Sequence, residues 1–82
     1  MSDRVMLQGL WAQNKMMLRE KMIRAQALVR AIHTLANPFL PIEDLHAEEI
    51  ASQARDLEKI AAEIKDLAEK IREMEKELGV SE

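Results

Sequence analysis

The sequence predicts an all-α protein: an antiparallel helical hairpin of two long helices that dimerises into a four-helix bundle. Three observations support this fold class. Ala, Leu, Ile, Met, Glu, Lys and Arg dominate the 82 residues, a composition typical of long helices. Two Gly and two Pro are too few for the many turns of a β-sandwich or barrel. In the second half of the chain, apolar residues recur in alternating steps of three and four, which is the heptad pattern of coiled coils.

The first helix is predicted over residues 2–36. It ends there because Pro38 disfavours helical backbone at Asn37. Its apolar face is broad, and Asn14 interrupts it. A single buried Asn among apolar residues commonly fixes the register of packed helices at some cost in stability. Five residues of this helix are assigned to an oligomer interface: Trp11, Leu18, Met22, Val29 and Ile32.

The second helix is predicted over residues 42–78, after a corner at residues 37–41. Pro41 suits the first turn of a helix, and the acidic residues that follow it are favoured at the positive end of the helix macrodipole. Gly79 can adopt the left-handed conformation that commonly ends a helix. Since the helices have nearly equal lengths and a short connection, residues 1–82 are predicted to form a single helical-hairpin domain.

The second helix contains the clearest pattern in the chain. Its seam at the a and d positions of the heptad, also assigned to the oligomer interface, consists of Leu57, Ile60, Ile64, Leu67, Ile71 and Met74. A column of small residues runs beside this seam at the e position and includes Ala54, Ala61 and Ala68. The added column widens the apolar face to about three positions in seven, which suits a bundle in which each helix contacts two neighbours.

Self-association is expected from size and charge. A two-helix hairpin this small has little interior to offset its conformational entropy, and a chain with no cysteine has no disulfide to help. Residues 1–36 have a net charge of +4 and residues 42–82 a net charge of −7, which favours basic helices beside acidic ones. We therefore expect a homodimer. The orientation of its two hairpins stays open, as do higher oligomers and a hetero-complex.

The sequence offers no enzyme site, so we predict no catalytic residue, no cofactor and no metal. It has no cysteine and no Gly-rich phosphate loop, and its carboxylates fall on solvated faces that leave their acidity unchanged. Glu43 and His46 form a Glu-x-x-His pair of the kind found in di-iron bundles, in which both residues share one helix face. The first helix supplies only Glu20, however, so the other ligands of such a site are missing.

The predicted function is that of a small non-enzymatic adaptor, scaffold or regulatory protein that acts through helix-mediated self-association and protein–protein interaction. The predicted partner-binding surface is a narrow apolar stripe on the back of the first helix, formed by Val5, Met16, Ile23 and Ala27. The alternative is an RNA-binding four-helix bundle that uses a basic strip, with the candidates Lys15, Arg19 and Arg30. A net charge of −3 and an isoelectric point near 5.4 disfavour this alternative, since phosphate binding needs a concentrated basic surface.

We expect a cytoplasmic protein with no membrane association. No uncharged run approaches the roughly 20 residues that span a bilayer. The first residues also lack the basic start and apolar core of a secretory signal.

Overall fold

The computed structural model describes residues 2–79, which form an antiparallel helical hairpin. Helix α1 spans Ser2–Leu35, a single 3₁₀ turn spans Ile42–Asp44, and helix α2 spans Ala47–Leu78. Residues 2–79 contain no strand, and the two helices pack against each other, which confirms the predicted all-α hairpin. The molecule measures 63 × 19 × 14 Å, so it is a rod only one layer of helices thick.

The second helix begins at Ala47, so the predicted start at residue 42 is wrong. Pro41 has extended backbone before the 3₁₀ turn, and Leu45 is extended again after it (φ −76°, ψ 132°), which interrupts the helical path. Leu45 is half-buried, whereas every residue of the 3₁₀ turn is exposed. The extended backbone thus places an apolar side chain where it is partly removed from water, which is favourable.

Because of this interruption, Glu43 and His46 do not share a helix face. Glu43 lies in the 3₁₀ turn, and His46 is the residue immediately before α2. The helix on which the Glu-x-x-His pattern depends is therefore not formed. Among residues 2–79, no group of three or more His, Cys, Asp or Glu side chains is placed to hold a metal ion.

The face of α1 that packs against α2 is a narrow heptad seam. Its buried and half-buried residues follow one another in alternating steps of four and three: Leu7, Trp11, Asn14, Leu18, Lys21, Ala25, Leu28, Ile32 and Leu35. The broad face predicted for this helix is therefore divided, because Met22 and Val29 lie beside the seam and stay exposed. Asn14 and Lys21 occupy seam positions, and these two polar residues obscure the repeat in the sequence.

The matching seam of α2 contains the buried core. The buried apolar side chains of the described chain are Ile60, Leu67, Ile71 and Leu78. Half-buried residues on the same seam are Leu57, Ile64 and Met74. At the end of α2, Gly79 has a φ of 71° and donates its N–H to the carbonyl oxygens of Glu75 and Lys76. The predicted left-handed helix end is thus confirmed.

One end of the rod holds both ends of the described chain. Arg4 Nη2 donates a hydrogen bond to the carbonyl oxygen of Leu78 at 2.9 Å. This contact satisfies one of the carbonyl groups that the end of a helix leaves without an intrahelical partner. The start of α1 and the end of α2 are therefore tied together.

The corner lies at the other end of the rod and is shaped by local hydrogen bonds. Asn37 Oδ1 accepts from the N–H of Phe39 at 2.9 Å, and the carbonyl oxygen of Asn37 accepts from the N–H of Leu40 at 3.2 Å. Phe39 is 91% exposed, and Ile42 is exposed beside it. The corner therefore presents apolar side chains to solvent on an ordered turn.

Candidate association surfaces

The hairpin exposes more surface than a compact chain of its size. Its accessible surface is 6695 Å², whereas a compact monomer of 9.4 kDa exposes about 5,000 Å². Its radius of gyration is 18.1 Å, against roughly 12 Å for a compact fold of this length. Since a single layer of two helices buries only one side of each helix, the flanks of the hairpin are the candidate functional surfaces.

Two ion pairs mark the two flanks. Lys15 Nζ lies 3.9 Å from Glu75 Oε2 on one flank, and Lys21 Nζ lies 2.9 Å from Glu63 Oε1 on the other. Steps of seven residues along a packed helix stay on the same flank. The first flank therefore continues along α1 from Lys15 and along α2 from Glu75. We call its apolar part the alanine flank, which consists of Met22, Val29, Ala54, Ala61 and Ala68.

The alanine flank is apolar and accessible. Met22 and Val29 are about half exposed, and Ala54 and Ala61 are exposed. Large side chains of α1 thus stand beside a column of small side chains on α2. Small residues allow the backbones of packed helices to approach closely, so this flank can accept the helices of another chain.

Away from the corner, the alanine flank leads into an open groove. The groove is lined by the apolar residues Leu18, Ala68 and Ile71, by the cations Lys15, Arg72 and Lys76, and by Glu75. Three cationic side chains thus accompany one carboxylate, which pairs with Lys15. We call it the basic groove.

The opposite flank is mainly charged, although Met17 is 40% exposed and lines a groove there with Lys21 and Arg24. Lys21 donates a hydrogen bond to Glu63 at 2.9 Å. This bond and the charge of Lys21 hold the pKa of the Glu63 carboxyl below its ordinary value. Asp56 and Lys59 line a groove on the same flank. Charged side chains of both signs suit contact with solvent better than a dry contact between helices.

Trp11, Lys15 and Glu75 form a cluster that the sequence analysis missed. Trp11 Nε1 donates to Glu75 Oε2 at 3.0 Å, and Glu75 is only 8% exposed. Lys15 Nζ lies 5.1 Å from the centre of the indole ring, within range of a cation–π interaction. The sequence contains one signal for this cluster: Glu75 lies seven residues after Ala68 and takes the next place in the alanine column.

The residues assigned to an oligomer interface separate into two groups. The seam residues of α2 pack against α1 of the same chain, as do Trp11, Leu18 and Ile32. Ile60, for example, is only 6% exposed in a single hairpin. Such residues have little surface left for a second chain. The prediction of a dimer interface therefore depends on the accessible residues, which are Met22, Val29, Ala54 and Ala61.

The predicted partner stripe is exposed but not continuous. Met16 and Ile23 are 69% and 60% exposed and line one shallow groove with Met22. Val5 is exposed but lies about 16 Å from Met16 along the helix. Ala27 lines the groove of the opposite, charged flank. The structure therefore brings Met16 and Ile23 together and separates the other two residues from them.

The three nucleic-acid candidates do not gather into one site. Lys15 is half-buried beside Trp11 and Glu75. Arg19 and Arg30 are exposed, but about 16 Å of helix separates them. These cations are thus spread along α1, whereas phosphate binding needs a concentrated basic surface.

Neither helix within residues 2–79 has an apolar stretch long enough to cross a membrane. No protein-family model matches the chain, and no curated protein or solved structure is detectably similar to it. Its function is therefore inferred from its surfaces.

Proposed function

We propose that this chain is a small non-enzymatic adaptor, scaffold or regulatory protein that acts through helix-mediated self-association and contacts with other proteins. In this proposal the chain first forms a homodimer, in which two hairpins make a four-helix bundle. The observation that supports this proposal most directly is the alanine flank. Met22 and Val29 remain accessible beside Ala54 and Ala61 after the hairpin has closed.

The accessible area also supports self-association. The 6695 Å² of the hairpin exceeds the area of a compact monomer by roughly 1,700 Å². Obligate homodimers bury about 1,000–2,500 Å² on each chain. A second hairpin on the alanine flank would remove an area in this range and would produce the two packed layers typical of stable domains.

A neighbouring surface of α1, which shares a groove with Met22 of the alanine flank, is available for other proteins. Met16 and Ile23 lie on α1 outside its seam with α2, and both are largely exposed. Neighbouring exposed apolar side chains mark interaction sites on protein surfaces. We assign partner binding to this pair.

The open character of the grooves supports a binding role over catalysis. The carboxylates of the described chain lie mainly along solvated flanks, and buried Glu75 already accepts a hydrogen bond from Trp11. Catalytic sites are usually concave and protected from water. The flanks of this rod resemble contact surfaces more closely.

Size-exclusion chromatography with light scattering tests the proposal. We expect a mass about twice 9.4 kDa. Ala61→Glu places a carboxylate in the centre of the alanine flank and should give a monomer, because burying an unpaired charge is costly. Ala62→Glu is the matched control: the neighbouring residue is exposed and lies on the outer face of α2, so the mass should not change. A monomeric wild type, or an equal effect of both variants, would contradict the proposal.

The same purification distinguishes the RNA-binding alternative from the proposed protein adaptor. A protein adaptor should retain its partners after nuclease treatment and show no excess absorbance at 260 nm. Material that absorbs strongly at 260 nm and disappears with nuclease would favour the basic strip of α1 instead.

A further inference from the structure

We propose that a second copy of this chain packs on the alanine flank with its corner at the opposite end of the rod, so that α2 lies along α2 of the second copy around a two-fold axis near Ala61. This inference rests on the homodimer of the proposed function. It adds the orientation of the two hairpins and the residue at their centre.

The alanine flank is centred on one level of the rod. The contacts Trp11–Glu75 and Lys21–Glu63 set the register between the helices, and this register puts Ala61 at the level of residues 23–25. That level lies between Met22 and Val29. Ala61 is also the middle residue of its own column, with Ala54 and Ala68 seven residues away on either side.

A common centre is what a two-fold axis requires. An isologous contact uses the same patch on both copies, so each half of the patch must meet the other half. With the axis near Ala61, Ala54 meets Ala68 of the second copy. On α1, the same operation brings Met22 to within about one helical turn of the level of Val29 of the second copy.

Two arrangements bring the flanks of two copies together around a two-fold axis. With corners at opposite ends, α1 lies over α1 of the second copy and α2 over α2. With corners at the same end, α1 of each copy lies over α2 of the other. The apolar residues pack in either arrangement. The net charges of +4 on residues 1–36 and −7 on residues 42–82 favour the second arrangement, because it sets α1 against α2 of the other copy. The charges at the edge of the flank and at the corner favour the first, and we give them more weight because solvent screens charges that lie farther from the contact.

The charges along the edge of α2 favour opposite corners. Arg72 lines the basic groove beside Ala68, and Lys65 and Glu58 precede it by seven and fourteen residues on the same edge. Reversing α2 around Ala61 brings Glu58 of each copy to the level of Lys65 of the other. The same reversal brings Arg72 to the acidic first turn of α2 in the second copy.

The arrangement with corners at the same end opposes like charges on this edge. It places α1 of one copy over α2 of the other at equal levels. Lys65 then comes level with Arg19 of the second copy. Juxtaposed like charges select against a wrong arrangement more than matched charges add stability.

The corner supplies a second, independent charge argument. No Lys or Arg occurs between Arg30 and Arg55, and four carboxylates lie in this interval: Glu43, Asp44, Glu48 and Glu49. Corners at the same end would put two such acidic segments together. Corners at opposite ends separate them by far more than the Debye length of about 8 Å and place each one near the basic groove of the other copy.

Engineered cysteines test this orientation, and the chain has no native cysteine to interfere. Disulfides form only where two Cα atoms lie within about 7 Å. Opposite corners predict that Ala61→Cys oxidises readily to a covalent dimer of about twice 9.4 kDa. They also predict that Ala54→Cys alone does not cross-link, but does so when mixed with Ala68→Cys. Ala62→Cys is the control and should stay monomeric on a non-reducing gel.

Corners at the same end predict a different pattern. Ala61→Cys alone would not cross-link, because α2 would face α1 of the second copy, and it would instead form a disulfide with Met22→Cys. That pattern overturns the inference. A dimer by light scattering that gives no disulfide at any of these positions also overturns it, because the contact then lies on another face.

The two proposals fail in distinguishable ways. A monomer by light scattering under the same conditions contradicts the homodimer itself. A dimeric mass with the wrong disulfide pattern leaves the homodimer standing and contradicts only the orientation.

Discussion

Trp11 donates its indole N–H to the buried carboxylate of Glu75 at 3.0 Å, across the contact between α1 and α2. The two residues are separated by more than sixty positions in sequence, so their hydrogen bond forms only when the hairpin closes in the correct register. Lys15 lies beside both of them. A polar cluster therefore occupies one end of an otherwise apolar flank.

This hydrogen bond predicts different effects for two substitutions of Glu75. Glu75→Leu leaves the indole N–H without an acceptor and should lower the free energy of unfolding by ~1–3 kcal/mol. Glu75→Gln keeps an acceptor oxygen and should cost less. Urea unfolding followed by the fluorescence of Trp11, the sole tryptophan, measures both. Equal stability of the two variants would show that the hydrogen bond contributes little.

Replacement of each of the two glycines by alanine is expected to change the stability of the protein in opposite directions. Gly9 lies inside α1 with nothing near the place of an added Cβ, so Gly9→Ala should stabilise by ~0.5–1 kcal/mol through helix propensity. Gly79 has a φ of 71°, and Gly79→Ala should destabilise by ~1 kcal/mol because a side chain strains this conformation. Thermal unfolding monitored by circular dichroism tests the pair, and shifts of the same sign would contradict the assignment of the helix end.

The burial of Asn14 in the seam predicts that its replacement by an apolar residue raises stability but makes assembly less specific. Asn14 is 8% exposed in the seam, and its Nδ2 contacts the Met74 sulfur at 3.7 Å, which is a weak acceptor. Asn14→Leu should therefore raise the free energy of unfolding by ~1–2 kcal/mol and give a less uniform assembly. Urea unfolding and light scattering measure these changes. An unchanged urea midpoint and an unchanged mass would contradict both the stability cost of Asn14 and its role in assembly.

The Lys21–Glu63 pair predicts a pH dependence. The pKa of Glu63 is lowered in the folded state from its ordinary value of 4.5, so its contribution to stability is present above that value. It is lost as the pH falls through the lowered pKa. Wild type should thus lose more thermal stability than Glu63→Gln when the pH is lowered from 6 to 3. Because the pair is solvated, high salt should shrink this difference; an identical pH profile for both proteins would contradict it.

The exposed pair on the back of α1 predicts a separation of partner binding from self-association. Met16→Glu combined with Ile23→Glu should leave the dimeric mass unchanged and abolish capture of partner proteins. Light scattering and affinity purification after nuclease treatment measure the two properties. If the double substitution dissolves the dimer instead, Met16 and Ile23 belong to the contact between copies.

The hairpin was predictable because its strongest signals are local. The seam of α2 from Leu57 to Met74 alternates apolar residues without interruption, and Pro38 ends the first helix through a steric effect on its neighbour. The seam of α1 was not predicted as narrow, because Asn14 and Lys21 occupy positions at which a heptad normally has apolar residues. Their burial depends on the partner helix, which a single-helix pattern does not contain.

The start of α2 and the cluster at Trp11 were missed for a related reason. Acidic residues after Pro41 are equally favourable in a 3₁₀ turn and in the first turn of a long helix. In the structure the 3₁₀ turn is followed by half-buried Leu45 with extended backbone, which the charge pattern does not indicate. Likewise, in the sequence of α2 alone Glu75 has the spacing of a surface residue. Only the register between the two helices brings Trp11 beside it. The assignment of surfaces to a dimer or to other partners stays a prediction.

The hydrogen bond between Arg4 and Leu78 has a practical geometric consequence. It gathers both ends of the described chain at one tip of a rod 63 Å long, so any domain fused before α1 or after α2 departs from that tip. In a dimer with opposed corners, fused domains would leave from opposite tips. The bundle would then act as a rigid spacer that holds two cargoes several nanometres apart.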